Sequence, residues 1–354
     1  SAPAPAYNGA DLRWRTTQTE HFVIHFHQGL EFTASKTAAI ADDVYANVTD
    51  LYGYQPPRKT HVVLRDDEDT ANGFAAYNVD FITIWASPAQ NRLRGKEDWI
   101  RSVLTHEFAH IVSLQASSRS GLAIEGVRLG GIQNADTRAN VDVGGSLLIL
   151  THPYSRWWAE GTAQLDTHAT GLDPWDTSRD MLLRSSVIEN NLLTFDQMRN
   201  IRVRENFGPE QVYNQGFSFL LWIESQYGKG ANARIARAAA GSMSPQFDRA
   251  LETVTGSRAR DLDARWRADL AKRYAEQLRG IADRTVEGEK IETVSPKRLA
   301  RMPAAERPIE DGPTLAYPRF SPDGRWFSYV QRDQVVLRRL SAPFDPATDP
   351  QQKP

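Results

Sequence analysis

The sequence predicts an α+β fold, and three observations predict it. The first 85 or so residues carry strand, helix, strand and strand patterns in that order. Residues 98–278 are dominated by helical periodicity, and residues 313–340 return to short strands around an Asp-Gly turn. Such an order opens a mixed α+β layer, continues as a helical part and ends in a separate strand-rich piece.

Each element has its own signal. His21 to His27 read His-Phe-Val-Ile-His-Phe-His, a strand with Phe22, Ile24 and Phe26 on one face and His21, His25 and His27 on the other. Alternating histidines on a strand can hold a metal, but an exposed polar face is the simpler reading. From about Ala34 to Tyr52 the apolar residues recur at helical spacing, and Gly53 with Pro56-Pro57 ends that helix. A second strand at His61–Leu64 leads into Asp66-Asp67-Glu68-Asp69, read as a solvated acidic loop rather than a calcium loop. One or two further strands are expected between Phe74 and Trp85. Helices follow near 98–114, 153–167, 175–190, 211–227 and 257–278. In the last of these, Leu262, Trp266, Leu270, Tyr274 and Leu278 form one stripe, and Gly228 is placed to cap the helix that ends at Tyr227. Ser118–Gly145 is rich in Gly, Arg and Asn and reads as a long excursion between two helices.

This divides the chain into a flexible lead-in at 1–19, a main domain at 20–278, a linker at 279–312, a strand-rich piece at 313–340 and a disordered or cleaved tail at 341–354. The 354 residues correspond to about 2.4 typical domains, more than one domain and less than three. A formal charge of -2 gives no reason to expect a nucleic-acid partner. No apolar run approaches the ~18 residues of a membrane span. Cysteine is absent, which removes disulfides, thiolate nucleophiles and thiolate metal ligands together. The Ala/Pro-rich start fits a lead-in left after removal of a signal peptide, hence an expectation of a secreted or periplasmic protein.

The chemistry is concentrated at His106-Glu107-Phe108-Ala109-His110. Residues four apart on a helix stand about 40° from one another, so both imidazoles reach one Zn2+. Glu107, turned about 100° from His106, is placed to take a proton from an attacking water. This spacing is a zinc-protease signature. A third ligand is expected from Glu160, because zinc enzymes commonly use two histidines, one carboxylate and a water. His152 and His168 remain alternatives.

With Trp157-x-x-Glu160-Gly161-x-Ala163, the motif resembles the gluzincin clan of zinc metallopeptidases, which includes thermolysin-like peptidases and the zinc aminopeptidases. The resemblance continues through Tyr213-x-x-Gly216-x-Ser218-Phe219 to Trp266 and implies an N-terminal mixed sheet, an active-site helix and a helical C-terminal subdomain. It implies one catalytic Zn2+ on His106, His110 and Glu160, with Glu107 as general base and Tyr213 stabilising the oxyanion. A phenol at a helix start suits that role chemically. Gln164, one turn after Glu160, is a candidate partner for a zinc histidine, where thermolysin-like enzymes have an Asp. The Gly-x-Met-Glu-Asn segment of the aminopeptidases is absent, and Asn72–Asn78 contains no Glu, which favours an endopeptidase acting on peptides or proteins. The gap from His110 to Glu160 exceeds that of thermolysin-like enzymes, so 118–153 is expected to loop out near the cleft.

Tyr317–Val330 resembles the blade motif of TolB-type β-propellers, with room for one partial blade, so further blades are expected in a separate or missing segment. The rival reading is a catalytically inactive metalloprotease-like binding or scaffold protein that acts through its propeller.

Overall fold

The structure is a computed structural model that describes residues 11–66, 72–87, 98–118, 155–199, 208–241, 247–281, 316–331 and 334–339. It divides into two units, Ser1–Arg279 and Gly280–Pro354. Most of the acidic loop, the 118–153 excursion beyond Ser118 and before residue 155, nearly all of the linker and the whole tail lie outside the described residues.

The first unit begins with β1 (Trp14–Gln18), β2 (Phe22–His27), α1 (Glu31–Tyr52), β3 (Thr60–Arg65), β4 (Gly73–Ala76) and β5 (Phe81–Trp85). These strands form one sheet in the order β1-β2-β3-β5-β4. The central strands β2, β3 and β5 are parallel, whereas β1 and β4 run antiparallel at the two edges. Alternation sends Phe22, Ile24, Val62, Leu64, Ile82 and Ile84 to one face, where all six are fully buried. Phe22 meets Phe108 edge-on at 5.0 Å, which ties the sheet to the next helix.

That helix, α2 (Trp99–Ala116), is fixed to the β4–β5 hairpin at both ends. Trp99 Nε1 donates to the Trp85 carbonyl at 2.8 Å, and Gln115 Nε2 donates to the Tyr77 carbonyl at 2.6 Å. Then come α3 (Arg156–Ala169), α4 (Thr177–Ile188), α5 (Gly208–Tyr227), α6 (Ala231–Gly241), α7 (Asp248–Thr255) and α8 (Ala259–Gln277), with a 3-10 turn at Gln197–Arg199. Gly53 and Gly228 adopt positive φ, 58° and 87°, as expected of residues that end helices. Helices α3 and α5 cross at Gly161 and Gly216: a Cβ on Gly161 would stand 2.5 Å from the Gly216 carbonyl carbon. The backbones therefore touch without intervening side chains.

Two expectations need amendment. β1, α6 and α7 were not legible, because the first is a polar, exposed edge strand, the second is mostly alanine and arginine, and the third has only two turns. The histidine face of β2 is not simply an exposed polar face: His25 and His27 share it, opposite Thr16 and Trp14 of β1, but His27 is buried there. His21 precedes β2, stacks on Tyr45 at 3.6 Å and lies 3.1 Å from Asp42, while His27 is buried against Trp14. His25 pairs with His61 across the β2–β3 seam.

The second unit contains β6 (Ala316–Phe320), β7 (Trp326–Gln331) and β8 (Gln334–Arg339), an antiparallel meander. Its β6–β7 turn is the expected Asp-Gly turn: Gly324 has φ 64°, and Arg325 N and the Ser321 hydroxyl both donate to Asp323. Three strands do not by themselves show a propeller.

Candidate metal centre

His106 and His110 project from one face of α2, with ring centroids 4.9 Å apart and planes at 86°. Glu160 comes from the first turns of α3. Its Oε2 lies 3.7 Å from His106 Nε2 and 3.2 Å from His110 Nε2. One ligand atom from each of the three residues falls within 4.8 Å of the others, making a set that can hold a metal ion. Tetrahedral zinc with bonds of about 2.0–2.2 Å separates its ligands by roughly 3.4 Å, so the observed spacing fits. The same Oε2 is buried and has no hydrogen-bond partner. A buried, unsatisfied carboxylate oxygen facing two imidazole nitrogens is costly unless a cation completes it.

The electrostatics agree. Burial alone would raise the Glu160 pKa, but the imidazoles of His110 and His106 overcome it and hold the carboxyl well below its ordinary range. His110 responds in kind: burial lowers its pKa, yet Glu160 and Glu107 carry it above the usual imidazole value. Arg156, one turn before Glu160 on α3, places a guanidinium nitrogen 3.8 Å from the other Glu160 oxygen.

Glu107 is buried beside this set and lines two cavities that meet at the centre. One, of about 110 Å³, is bounded by Gly73, Phe74, Tyr77, His110, Arg156 and Glu160. The other, of about 210 Å³, reaches Trp99, Ser102, His106, Asp173 and Glu210. Tyr213 on α5 lines both, and its ring lies 6.2 Å from that of His106 with planes only 23° apart. The Gly161–Gly216 crossing sets this position, because Gly161 follows Glu160 and Gly216 is one turn beyond Tyr213.

The structure thus brings together His106, Glu107, His110, Glu160 and Tyr213. Gln164 turns away from this group: its Oε1 accepts from Arg179 Nη1 at 3.2 Å, and Arg179 also forks onto Asp173 at 2.7 and 2.8 Å. Its Nε2 is buried without a partner, so Gln164 makes no hydrogen bond to a histidine of the centre. Two residues on, Asp166 is fully buried, and burial raises its pKa to about 8 against the opposing charge of His110. Tyr52 donates to both Asp166 oxygens, at 3.1 and 2.8 Å, and Asn232 Nδ2 donates to the Tyr52 hydroxyl at 3.2 Å. Sequence spacing gave no sign of this network, because Tyr52 and Asn232 lie on α1 and α6. Gly73 was also missed as a site residue; Asn72–Asn78 was read only for its lack of a Glu, whereas Gly73 provides the space that Glu107 occupies.

No protein-family model matches the sequence, and no curated protein matches it either. Solved structures with a detectable likeness include a mutant two-domain M1 zinc metallopeptidase bound to L-tryptophan, at 15% identity over 72% of this chain and 51% of that one, TM-score 0.38. The M1 zinc metallopeptidase from Deinococcus radiodurans gives 14% identity over 72% of this chain and 51% of that one, TM-score 0.36. Native leukotriene A4 hydrolase from Saccharomyces cerevisiae gives 12% identity over 71% of this chain and 37% of that one, TM-score 0.39. The chain spans about half the length of the first of these structures and less of the last. Likenesses this distant assign no chemistry, which rests on the residues of the centre itself.

Proposed function

We propose that this chain is a zinc-dependent peptidase that hydrolyses peptide bonds. The observation that carries the reading is the convergence of three metal-ligating side chains, His106, His110 and Glu160, on a cleft that also contains the Glu107 carboxylate. Structural zinc sites ordinarily use four protein ligands, whereas a three-ligand set leaves the position a catalytic metal needs. Bound zinc supplies Lewis acidity to a carbonyl and lowers the pKa of a water.

The protein's own residues supply the rest. Glu107 takes the proton of the attacking water and delivers it to the leaving nitrogen. The Tyr213 phenol donates a hydrogen bond to the oxyanion as it develops. β4 is an edge strand whose residues Gly73, Phe74 and Ala75 line the cavity beside Glu107, so an extended peptide can add to it as a further strand. Peptide geometry is thereby matched to the position of the base.

The reading extends to endopeptidase action, because the β4 segment lining the cleft carries no carboxylate to hold a free amine. Glu210, in the other cavity, is the group to examine if free amino termini are preferred. We also propose a partial propeller blade in β6–β8, on the Tyr317–Val330 motif.

Metal analysis combined with a digest of blocked and free-amino peptide libraries tests the reading. About one zinc per chain and chelator-sensitive cleavage, restored by zinc, are expected. Stoichiometric zinc with no cleavage of any peptide would overturn catalysis in favour of a binding role.

A further inference from the structure

A second pair of metal-capable nitrogens lies on the sheet. The β2–β3 register places Val23 opposite His61 and His25 opposite Val63, so the two imidazoles are diagonal neighbours on one face. This face is opposite the one that sends Ile24, Val62 and Leu64 into the core. It is therefore turned away from the His106 centre, and nothing in the proposed peptidase chemistry uses it.

The geometry is specific. His25 Nε2 lies 2.9 Å from His61 Nδ1, and the ring planes are within 14° of parallel. Two such nitrogens share one proton; when it leaves, two lone pairs converge on one point. A first-row ion with bonds of about 2.0–2.1 Å to nitrogen needs its ligands roughly 3.3 Å apart. Opening the pair by a few tenths of an ångström requires only side-chain rotation, because His61 is exposed and His25 partly so. His25 Nδ1 is 3.1 Å from the Thr16 hydroxyl, its register partner on β1, which fixes the ring from its far side. Metal-bound imidazoles commonly have such support on the second nitrogen. Burial, and then the charge of His61, hold His25 below the ordinary imidazole range, so its lone pair is available at neutral pH.

We propose that His25 and His61 form a second binding site, distinct from the His106 centre, for a borderline first-row transition-metal ion such as Cu2+, Ni2+ or Zn2+. Water completes the coordination on the open face of the sheet. An all-imidazole pair disfavours Ca2+ and Mg2+, which take oxygen ligands.

Copper is the most sensitive probe, since imidazole sites bind it most tightly among these ions. Cu2+ alone is titrated into the zinc-loaded full chain, followed by electron paramagnetic resonance and by zinc analysis of the same sample. The expected result is one copper per chain with two-nitrogen coordination and full zinc retention. His61→Ala and, separately, His25→Gln should each weaken copper binding at least about tenfold, as loss of one of two ligands requires, with zinc content and thermal midpoint unchanged. If His25→Gln fails to fold, the exposed His61→Ala variant decides alone. Equal copper binding by wild type and His61→Ala, or copper bound only as zinc is lost, would overturn the proposal.

Discussion

Gly73 of β4 lies so close to Glu107 that a methyl group there would overlap the Glu107 carboxylate. The edge strand and the proposed base are packed against each other, and the absence of a side chain at one position makes room for the reactive group of the other. Gly73→Ala should push Glu107 off its position and lower peptide cleavage by about 10²-fold, the scale of an ångström misplacement. Zinc content should not change. Full activity in this variant, measured by quenched-peptide hydrolysis, would show that Glu107 acts from another rotamer.

Glu107→Gln keeps the shape of the side chain and removes its capacity to accept a proton. Cleavage should fall by about 10²–10⁴-fold while one zinc per chain remains. Undiminished hydrolysis by this variant would exclude Glu107 as the base.

Tyr213→Phe tests the oxyanion role. A hydrogen bond used mainly in the transition state should cost about 10²–10³-fold in kcat and leave KM little changed. A change confined to KM would assign Tyr213 to substrate binding.

Gly161→Ala addresses the crossing of α3 and α5. An added methyl must separate two backbones, so unfolding free energy in denaturant should fall by about 1–3 kcal/mol. Zinc affinity should fall with it, since Glu160 is the preceding residue. A variant as stable as wild type would mean that the helices slide apart at little cost.

Asp166 gives a pH dependence in the metal-free protein. Burial pushes its carboxyl up to about 8, against which the Tyr52 hydrogen bond and the nearby His110 act only partly. An unfolded aspartic acid titrates near 3.9, so the folded state holds a proton that the unfolded state has released. The resulting stability is full below about pH 4 and is lost as pH rises through about 8, with a slope of at most about 1.4 kcal/mol per pH unit. Asp166→Asn removes this titration, and chemical denaturation at a series of pH values should show a flatter profile. An unchanged profile would place the titrating group elsewhere.

Legibility in the sequence followed the range of the interactions. His106, Glu107 and His110 could be read because a helix converts spacing directly into direction, and the flanks of Glu160 marked it as inside rather than on the surface. Phe22 and Ile24 likewise declared their face by alternation, and both are buried. Gln164 misled because its position relative to Glu160 was visible but Arg179, which it bonds, was not. Asp166 and Tyr52 are 114 positions apart, and no local pattern records such a pairing. The histidines around β2 illustrate the same limit: period two predicts a shared face, and His25 and His27 do share it, but packing against Trp14 buries His27, and His21 stacks on Tyr45 just before the strand.

The contact of Gly161 with Gly216 also has a mechanical meaning. Glu160 and Tyr213 sit on separate helices, yet the helices meet main chain to main chain, with no deformable layer between them. A ligand and a phenol 53 positions apart in the chain are thus held as if on a single solid part, while His106, Glu107 and His110 ride on another, joined to the sheet through Trp99 and Gln115. The alignment of the cleft reduces to how these two parts seat on one another. A substitution far from the metal that tilts either part would misalign the whole group at once, rather than one residue at a time.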